Sequence, residues 1–535
     1  MGYSMEWEDA EPGLVGMAAY GGGGAVEDDE RFRASDVSKL GRLVRRRIIR
    51  TARLADRPTF PKLLAAHLQT DVDEVEVVEE SWPPYDLVNV QVGLDAFLAG
   101  DGVRHELIGM RDHRHREFGL TDLLRSSEHQ AYGPHPGNVA WTQLASGPDG
   151  RVTPAALAAI YLVTVDQPVG DAVEDGPTRL AFMLRAADPE SGIGLVQLHL
   201  AADRPGAATA VAAEIRRLAI VHNVFRGQVI SFRHDMFGER ASALQFHRRP
   251  HVTADQVILP PETLAAIRRQ VVGVARHRER LLAAGQHLKR GLLLYGPPGV
   301  GKTHSVRFLI SQMTDVTIVE LSGDSLHAIG TACSVARTLQ PAMIVVEDVD
   351  LIAEEREMYG GPSPLLFELL NEMDGLAEDT DVVFLLTTNR ADMLEPALAA
   401  RPGRVDQAVV LEVPDADARR RLFALYRGEL DVDESNLDAV IERTDGVTAS
   451  FLKELLRRAA LIAAEADGGG SGMPRLSVTA AQLDEALDEL MDTRNAMTRT
   501  LLGGRRTGPH ATRPRAPWME EIEEMEEMEE MEETE

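Results

Sequence analysis

Cysteine is almost missing from this sequence: Cys333 is the one thiol in 535 residues. No intrachain disulfide can form, and no thiolate metal cluster is available. A reducing compartment suits such a chain, and a cytoplasmic location is the expectation. Long apolar runs are missing too. No segment reaches the ~20 residues that a membrane-spanning helix needs. The first residues, MGYSMEWEDAEPG, lack the basic and apolar regions of a secretory leader. Positive charge is scarce: 56 Lys and Arg stand against 85 Asp and Glu, for a formal net charge of −29. That disfavours broad binding to nucleic acid or anionic membrane, since both rest on many phosphate contacts by Lys and Arg. Neither a membrane nor a nucleic acid is the expected partner.

What is present is ordinary for a soluble globular protein, at 44% apolar and 26% charged residues. The length allows two or three domains, each with its own core. Residues 1–35 are Gly-rich and acidic and read as a flexible arm. Residues 36–250 read as an α+β domain. KLGRLVRRRIIRTA carries helical spacing, whereas VDEVEVVEE and YDLVNVQVG alternate like strands. RLAFMLRAA and GLVQLHLAA flank DPESGI as in a hairpin, followed by a helix over GAATAVAAEIRRLAIVHN and a strand at GQVISF. His113 and His115 lie in a basic stretch without carboxylate or Cys partners at ligand spacing, so they read as an exposed loop. Over residues 251–415 strands and helices alternate, as in a parallel α/β sheet. Residues 416–502 are nearly all helical in pattern, with Thr479 placed as an N-cap. A Pro/Gly/Arg linker at 503–518 leads into an acidic tail at 519–535. The tail's apolar residues recur every third position, which forms no straight helical stripe, so a solvated tail is expected.

One motif carries immediate chemistry. LLLYGPPGVGKTH follows a strand and opens a helix, and Gly296 to Thr303 match G-x-x-x-x-G-K-[ST]. Gly296, Gly299 and Gly301 let the backbone turn so that N–H groups face a phosphate, and the helix N-terminus adds partial positive charge. Lys302 is expected to reach the β- and γ-phosphates, and the Thr303 hydroxyl to bind Mg²⁺. The cradle as a whole, Gly296, Pro297, Pro298, Gly299, Val300, Gly301, Lys302, Thr303 and the adjoining His304, is the expected ATP contact.

Further along, the strand MIVV ends in Glu347 and Asp348, and VVFLLTTNR ends a second strand in Thr388 and Asn389. With LNEMDGL, RPGRVD and TDGVTASFLKELLRRAA in the same order, residues from about 252 to 500 resemble the AAA ATPases. The resemblance implies a P-loop NTPase large domain with a parallel sheet and a small helical lid domain, preceded here by the α+β domain. It implies that Glu347 and Asp348 hold the magnesium and water-activating places, with Thr303 and Glu347 at the metal. Asn389 resembles the residue that senses the γ-phosphate. Arg401 and Arg404 resemble arginine fingers that complete a neighbouring subunit's site, so a ring, usually a hexamer, is implied.

Several departures from the family pattern bear on function. The two acids stand as Glu-Asp instead of the usual Asp-Glu, while Asp350 keeps the third acid's place and fixes the frame. The segment ELSGDSLHAIGTACSVARTLQ lacks the aromatic that protein-unfolding members use to grip polypeptide, so a loop that grips nothing is the expectation, with His327 as a replacement the alternative; Tyr359 lies in a second candidate pore loop. EPALAARPGR is one residue longer than the usual spacing, and Ala449-Ser450 replaces a Gly-Ala pair. The expected function is an ATP-hydrolysing ring that remodels a protein or protein complex recognised by the N-terminal domain. An ATP-gated assembly scaffold is the alternative, and a nucleic-acid motor a weaker one.

Overall fold

The computed structural model describes residues 59–71, 75–111, 118–125, 134–169, 176–188, 192–233, 243–350, 364–377, 379–390, 405–466 and 476–492. The architecture below belongs to the compact unit Phe60–Glu535. The arm, the helix expected near residue 45, His113, His115, Tyr359, the linker at 503–518 and the acidic tail lie outside the described residues.

The first layer is an antiparallel sheet held between helices. In chain order come α1 (Phe60–Leu68), β1 (Val77–Trp82), α2 (Leu87–Leu98), β2 (Val103–Arg111), α3 (Leu120–Arg125), β3 (His135–Gly137), β4 (Ala140–Ala145), β5 (Val152–Val165), β6 (Thr178–Arg185), β7 (Val196–Ala202) and α4 (Ala207–Val221). The strands line up as β1-β7-β6-β5-β2-β3, with β4 on the first half of β5. Side chains alternate between the faces. Tyr161, Val163, Phe182 and Leu184 pack with α2 and α4 on one face. Ile160, Leu162, Ala181 and Met183 meet Phe60 and Leu64 of α1 and Leu120 and Leu123 of α3 on the other.

YDLVNVQVG, read as an alternating strand, is helical: it forms a 3₁₀ turn at Pro84–Asp86 and the start of α2. The reason is burial on more than one side. Leu87, Val90, Leu94 and Leu98, at helical spacing, face the antiparallel sheet, while Val88 joins the core of the second sheet. A helix apolar on both sides imitates strand alternation over a short window. It also runs close to α4, because a Cβ on Gly93 would lie 2.7 Å from that of Ala219.

The second sheet contains β8 (Val229–Arg233), β9 (Ala243–His247), β10 (Arg290–Tyr295), β11 (Thr317–Leu321), β12 (Ala342–Val346), β13 (Val382–Thr388) and β14 (Gln407–Val410). Its longer helices are α5 (Pro261–Arg268), α6 (Lys302–Gln312), α7 (Ile329–Thr338) and α8 (Pro364–Asp374). Strand order is β14-β10-β13-β12-β11-β8-β9, parallel except for the β8–β9 hairpin. β12 and β13 are buried along their whole length, as strands covered on both faces must be. The sheet therefore reaches back to Val229, upstream of residue 251, through parallel pairing of Ile318 with Val229. Onto this added edge the first layer is fastened. Tyr85 meets Phe232 edge-on at 5.7 Å between ring centroids, and Val224 N–H donates to Asn89 Oδ1 at 2.8 Å.

A helical unit follows: α9 (Ala416–Arg427), β15 (Asp431–Val432), α10 (Leu437–Arg443), α11 (Ala449–Ala466), β16 (Ser477–Val478) and α12 (Ala480–Met491). Thr479 caps α12 in a reciprocal box with Gln482. The small parallel pair β15–β16 is an element that the helical sequence pattern does not announce.

Candidate active site

The site lies at the C-terminal ends of β10, β12 and β13, where an open parallel sheet places its loops. After β10 the chain passes through Gly296, Gly299 and Gly301 at φ 151°, 84° and 105°. These are left-handed conformations that favour glycine. Two of the glycines also answer a close approach. A Cβ at Gly296 would lie 2.2 Å from Leu411 O, and one at Gly299 would lie 2.8 Å from Thr448 Oγ1. Around the position a Gly301 Cβ would take, nothing lies within 4 Å. Val300 is buried and holds the loop down on the core.

Lys302 opens α6 and is 7% exposed. Its ammonium donates to Gly296 O at 2.8 Å, Pro297 O at 3.0 Å and Asn389 Oδ1 at 2.8 Å. Burial pulls its pKa down, opposed by the charges of Asp348 and Asp350. Asn389 thus joins the phosphate loop to the acids, since its Nδ2 donates towards Asp348 Oδ1 at 3.4 Å and Asp350 Oδ2 at 3.5 Å. Asp350 is buried and also accepts from Thr388 Oγ1 at 2.9 Å and from the Asn389 amide at 3.3 Å. It is therefore the framework acid of the group, and Asp348 is the exposed one.

Glu347 hydrogen-bonds to Thr303, which stands one residue after Lys302 on α6. Burial raises the Glu347 pKa, and that hydrogen bond works against the rise. Glu320 shares the same face of the sheet. It pairs with Val345 in the β11–β12 register, two residues before Glu347, and burial raises its pKa, with Arg307 opposing.

The predicted residues from Gly296 to Thr303 therefore stand together with Glu347, Asp348 and Asn389. His304 instead turns towards the segment before α5, with Nε2 3.0 Å from Gln256 O. Arg401 and Arg404 lie outside the described residues. The last residue of their motif, Asp406, is anchored on the phosphate-loop strand, where Gly291 N–H donates to Asp406 Oδ2 at 2.8 Å and Asp406 N–H to Gly291 O at 2.9 Å.

The lid meets the loop directly. Ser450 N–H and Oγ both donate to Gly299 O, at 3.1 and 3.3 Å. Two contributors to the site carry little sequence signal: Thr387, whose Oγ1 accepts from the Asp348 amide at 3.1 Å, and Glu320; Arg249, equally silent, braces the opposite end of α6. Arg249 donates to four carbonyls, Ile310 O and Met313 O at the end of α6, Val316 O, and Gly227 O, at 2.9–3.0 Å.

The residues fit a magnesium–triphosphate ligand. The glycine cradle leaves no side chain beyond the backbone at three positions, and a hydroxyl and a carboxylate meet at Thr303 and Glu347. Magnesium is commonly held by one or two carboxylates together with phosphate and water. Among the described residues, no group of three or more His, Cys, Asp or Glu forms an all-protein metal cage.

A parallel sheet with a glycine cradle between β10 and α6, facing acids on the strands beside it, defines a P-loop NTPase. Residues 292–413 match the family model described as "ATPase family associated with various cellular activities (AAA)", so the chain carries an ATPase module of the AAA family. It is 35% identical over 234 residues to the ATP-dependent zinc metalloprotease FtsH 2 of Sphaerobacter thermophilus, covering 41% of this chain and 34% of that protein. It is 31% identical over 257 residues to FtsH of Thermus thermophilus, covering 45% and 40%. Proteasome-activating nucleotidase 2 of Haloferax volcanii is 28% identical over 279 residues, covering 49% and 66%. The chain thus spans well under half the length of the FtsH relatives it matches. Among the described residues no helix is long and apolar enough to cross a membrane.

Proposed function

We propose that this protein binds and hydrolyses ATP and uses the cycle to remodel a protein or protein complex. The observation that carries the reading is the chain of contacts from Lys302 through Asn389 to Asp348 and Asp350. A cation for the phosphates, an amide and two acids meet there within hydrogen-bond reach. Gly296 to Lys302 bind and orient the triphosphate. Thr303 and Glu347 would hold Mg²⁺, which when bound neutralises charge on the β- and γ-oxygens. Asp348, exposed beside Asn389, orients the attacking water. The water oxygen bonds to the γ-phosphorus as the bond to the ADP oxygen breaks, and the water's proton is lost to the carboxylate or onward to solvent.

Ring assembly is the second part of the proposal. Arg401 and Arg404 are the candidate fingers, acting on a neighbouring subunit's site, and a homohexamer is the expected ring. Support for a protein substrate comes from relatives whose names place them with proteolytic machines, the proteasome-activating nucleotidase and the 26S protease regulatory subunit 6A of Caenorhabditis elegans. The α+β layer, fastened to the sheet edge, is the proposed recognition domain, and the cytoplasm the proposed location. His327 is exposed in the 3₁₀ turn Gly323–Ala328, and without an aromatic there this loop is read as one that grips no polypeptide.

The exchanged acids favour one other reading, a scaffold that assembles on ATP and hydrolyses little. Steady-state phosphate release separates the two. Turnover in the wild type that Lys302→Ala abolishes supports the motor; wild-type release no faster than that of Lys302→Ala supports the scaffold.

A further inference from the structure

The exposed acid has an unusual backbone. Asp348 lies at φ 52°, one of three described residues other than glycine with positive φ. In that left-handed region a Cβ crowds the following carbonyl, and Asp and Asn are the side chains that tolerate it best. Glu, with its carboxylate one carbon further out, lacks their short-range hydrogen bonding to the backbone. The conformation is held from β13. Thr387 Oγ1 accepts from Asp348 N–H at 3.1 Å, and Thr387 O accepts from Val349 N–H at 2.9 Å. Two successive amides of the acid-bearing turn are therefore fixed by one residue. Thr387 is 1% exposed, so its hydroxyl is held within the core. Asn389, two residues along, reaches the Asp348 carboxylate from the same strand end.

We propose that Thr387 is a positioning residue for the reaction: its hydroxyl fixes the left-handed backbone at Asp348, and that backbone is why the second acid of this site is Asp and not Glu. The exchanged order is then a matched pair of a turn and a side chain. In an extended or helical backbone a Glu would reach the water; at this turn the shorter carboxylate occupies the place beside Asn389. The proposal rests on the hydrolytic reading given above and adds to it the origin of the acid order.

The test uses the full-length protein and four variants, Thr387→Val, Thr387→Ser, Asp348→Glu and the double variant Thr387→Val/Asp348→Glu. For each, kcat for phosphate release, the Kd for a fluorescent ATP analogue and the melting temperature are measured. Thr387→Val keeps the shape and removes the acceptor. The expected result is a kcat lower by about five- to tenfold, as for one lost hydrogen bond in the transition state. Nucleotide Kd and melting temperature stay close to wild type, and Thr387→Ser recovers most of the rate. Asp348→Glu lowers kcat in the wild-type background, and lowers it less when Thr387 is already Val. A Thr387→Val enzyme with wild-type kcat overturns the proposal. So does a parallel loss of kcat, nucleotide binding and melting temperature that Thr387→Ser fails to restore, because that is a packing role. So does an Asp348→Glu enzyme faster than wild type. If the wild type itself releases no phosphate above Lys302→Ala, the hydrolytic reading fails and this proposal falls with it; if it does, the Thr387 variants decide this proposal alone.

Discussion

Lys302 Nζ lies 2.8 Å from Asn389 Oδ1 and donates to it, joining the glycine loop that Lys302 also binds to the residue that faces the acids. The amide of Asn389 is oriented by this bond: its oxygen is committed to the ammonium, so its NH₂ points at Asp348 and Asp350. Replacing Asn389 by Ala removes the middle of the chain. The expected outcome is a kcat lower by roughly ten- to a hundredfold, with a nucleotide Kd changed by only a few-fold. Steady-state kinetics and equilibrium nucleotide binding on the same preparation check it.

Gly299 is where the phosphate loop meets the lid. At φ 84° any side chain is strained, and a Cβ would come within 2.8 Å of Thr448 Oγ1 and 2.9 Å of Ser450 Oγ. Gly299→Ala must therefore push the lid away or distort the cradle. Nucleotide affinity is expected to fall by more than about tenfold, the equivalent of ~1.4 kcal/mol. Ser450→Ala, which loses only the 3.3 Å side-chain bond and keeps the backbone one, is expected to change affinity by less than about threefold.

Arg249 closes the far end of α6. Four carbonyls accept from its guanidinium, two of them at the unsatisfied C-terminus of the helix that begins with Lys302. A planar fork serves four acceptors in a way that an ammonium cannot. Arg249→Ala is expected to destabilise this part of the protein by about 2–3 kcal/mol, and Arg249→Lys to recover only part of that. Urea unfolding followed by circular dichroism reads the difference.

A pH dependence is built into the antiparallel layer. His199 is 5% exposed, and its Nδ1 accepts from Leu120 N–H at 3.3 Å, so the neutral ring fits the site. Burial lowers its pKa below the ordinary 6.5, helped by Arg185 and opposed by Glu79 and Asp122. Below pH 6.5 the unfolded chain takes up this proton before the folded one does. The contribution to stability therefore declines as pH falls from 6.5 towards the depressed folded value, and then levels off. Asn at this position keeps an acceptor for Leu120 and cannot be protonated. His199→Asn is expected to lose less stability than wild type between about pH 7 and pH 5.

The parts of this site that the sequence announces are those whose constraint is local. The glycines of the phosphate loop advertise their own backbone, and Asn389 is marked by the strand end it follows. α2 misleads because Val88, Val90 and Val92 alternate, although they sit on a helix buried on two sides. The β8–β9 hairpin looks like the end of one domain and serves as the edge of the next, since parallel pairing with β11 leaves no mark in the sequence of β8. Arg249 and Thr387 are silent for a different reason: their partners are backbone groups, which every residue carries. The acid order is readable, and its cause, the left-handed turn at Asp348, is not.

The most direct test of the account is a single-turnover measurement of phosphate release by wild type and Asp348→Asn. The Asn variant suits the left-handed turn equally and lacks only the charge, so its backbone and nucleotide binding should be preserved. The account predicts ATP binding within a few-fold of wild type and a phosphate-release rate at least about a hundredfold slower, a loss of ~2.7 kcal/mol in transition-state stabilisation. Release at the wild-type rate by Asp348→Asn would contradict it, because the exposed acid would then play no part in hydrolysis.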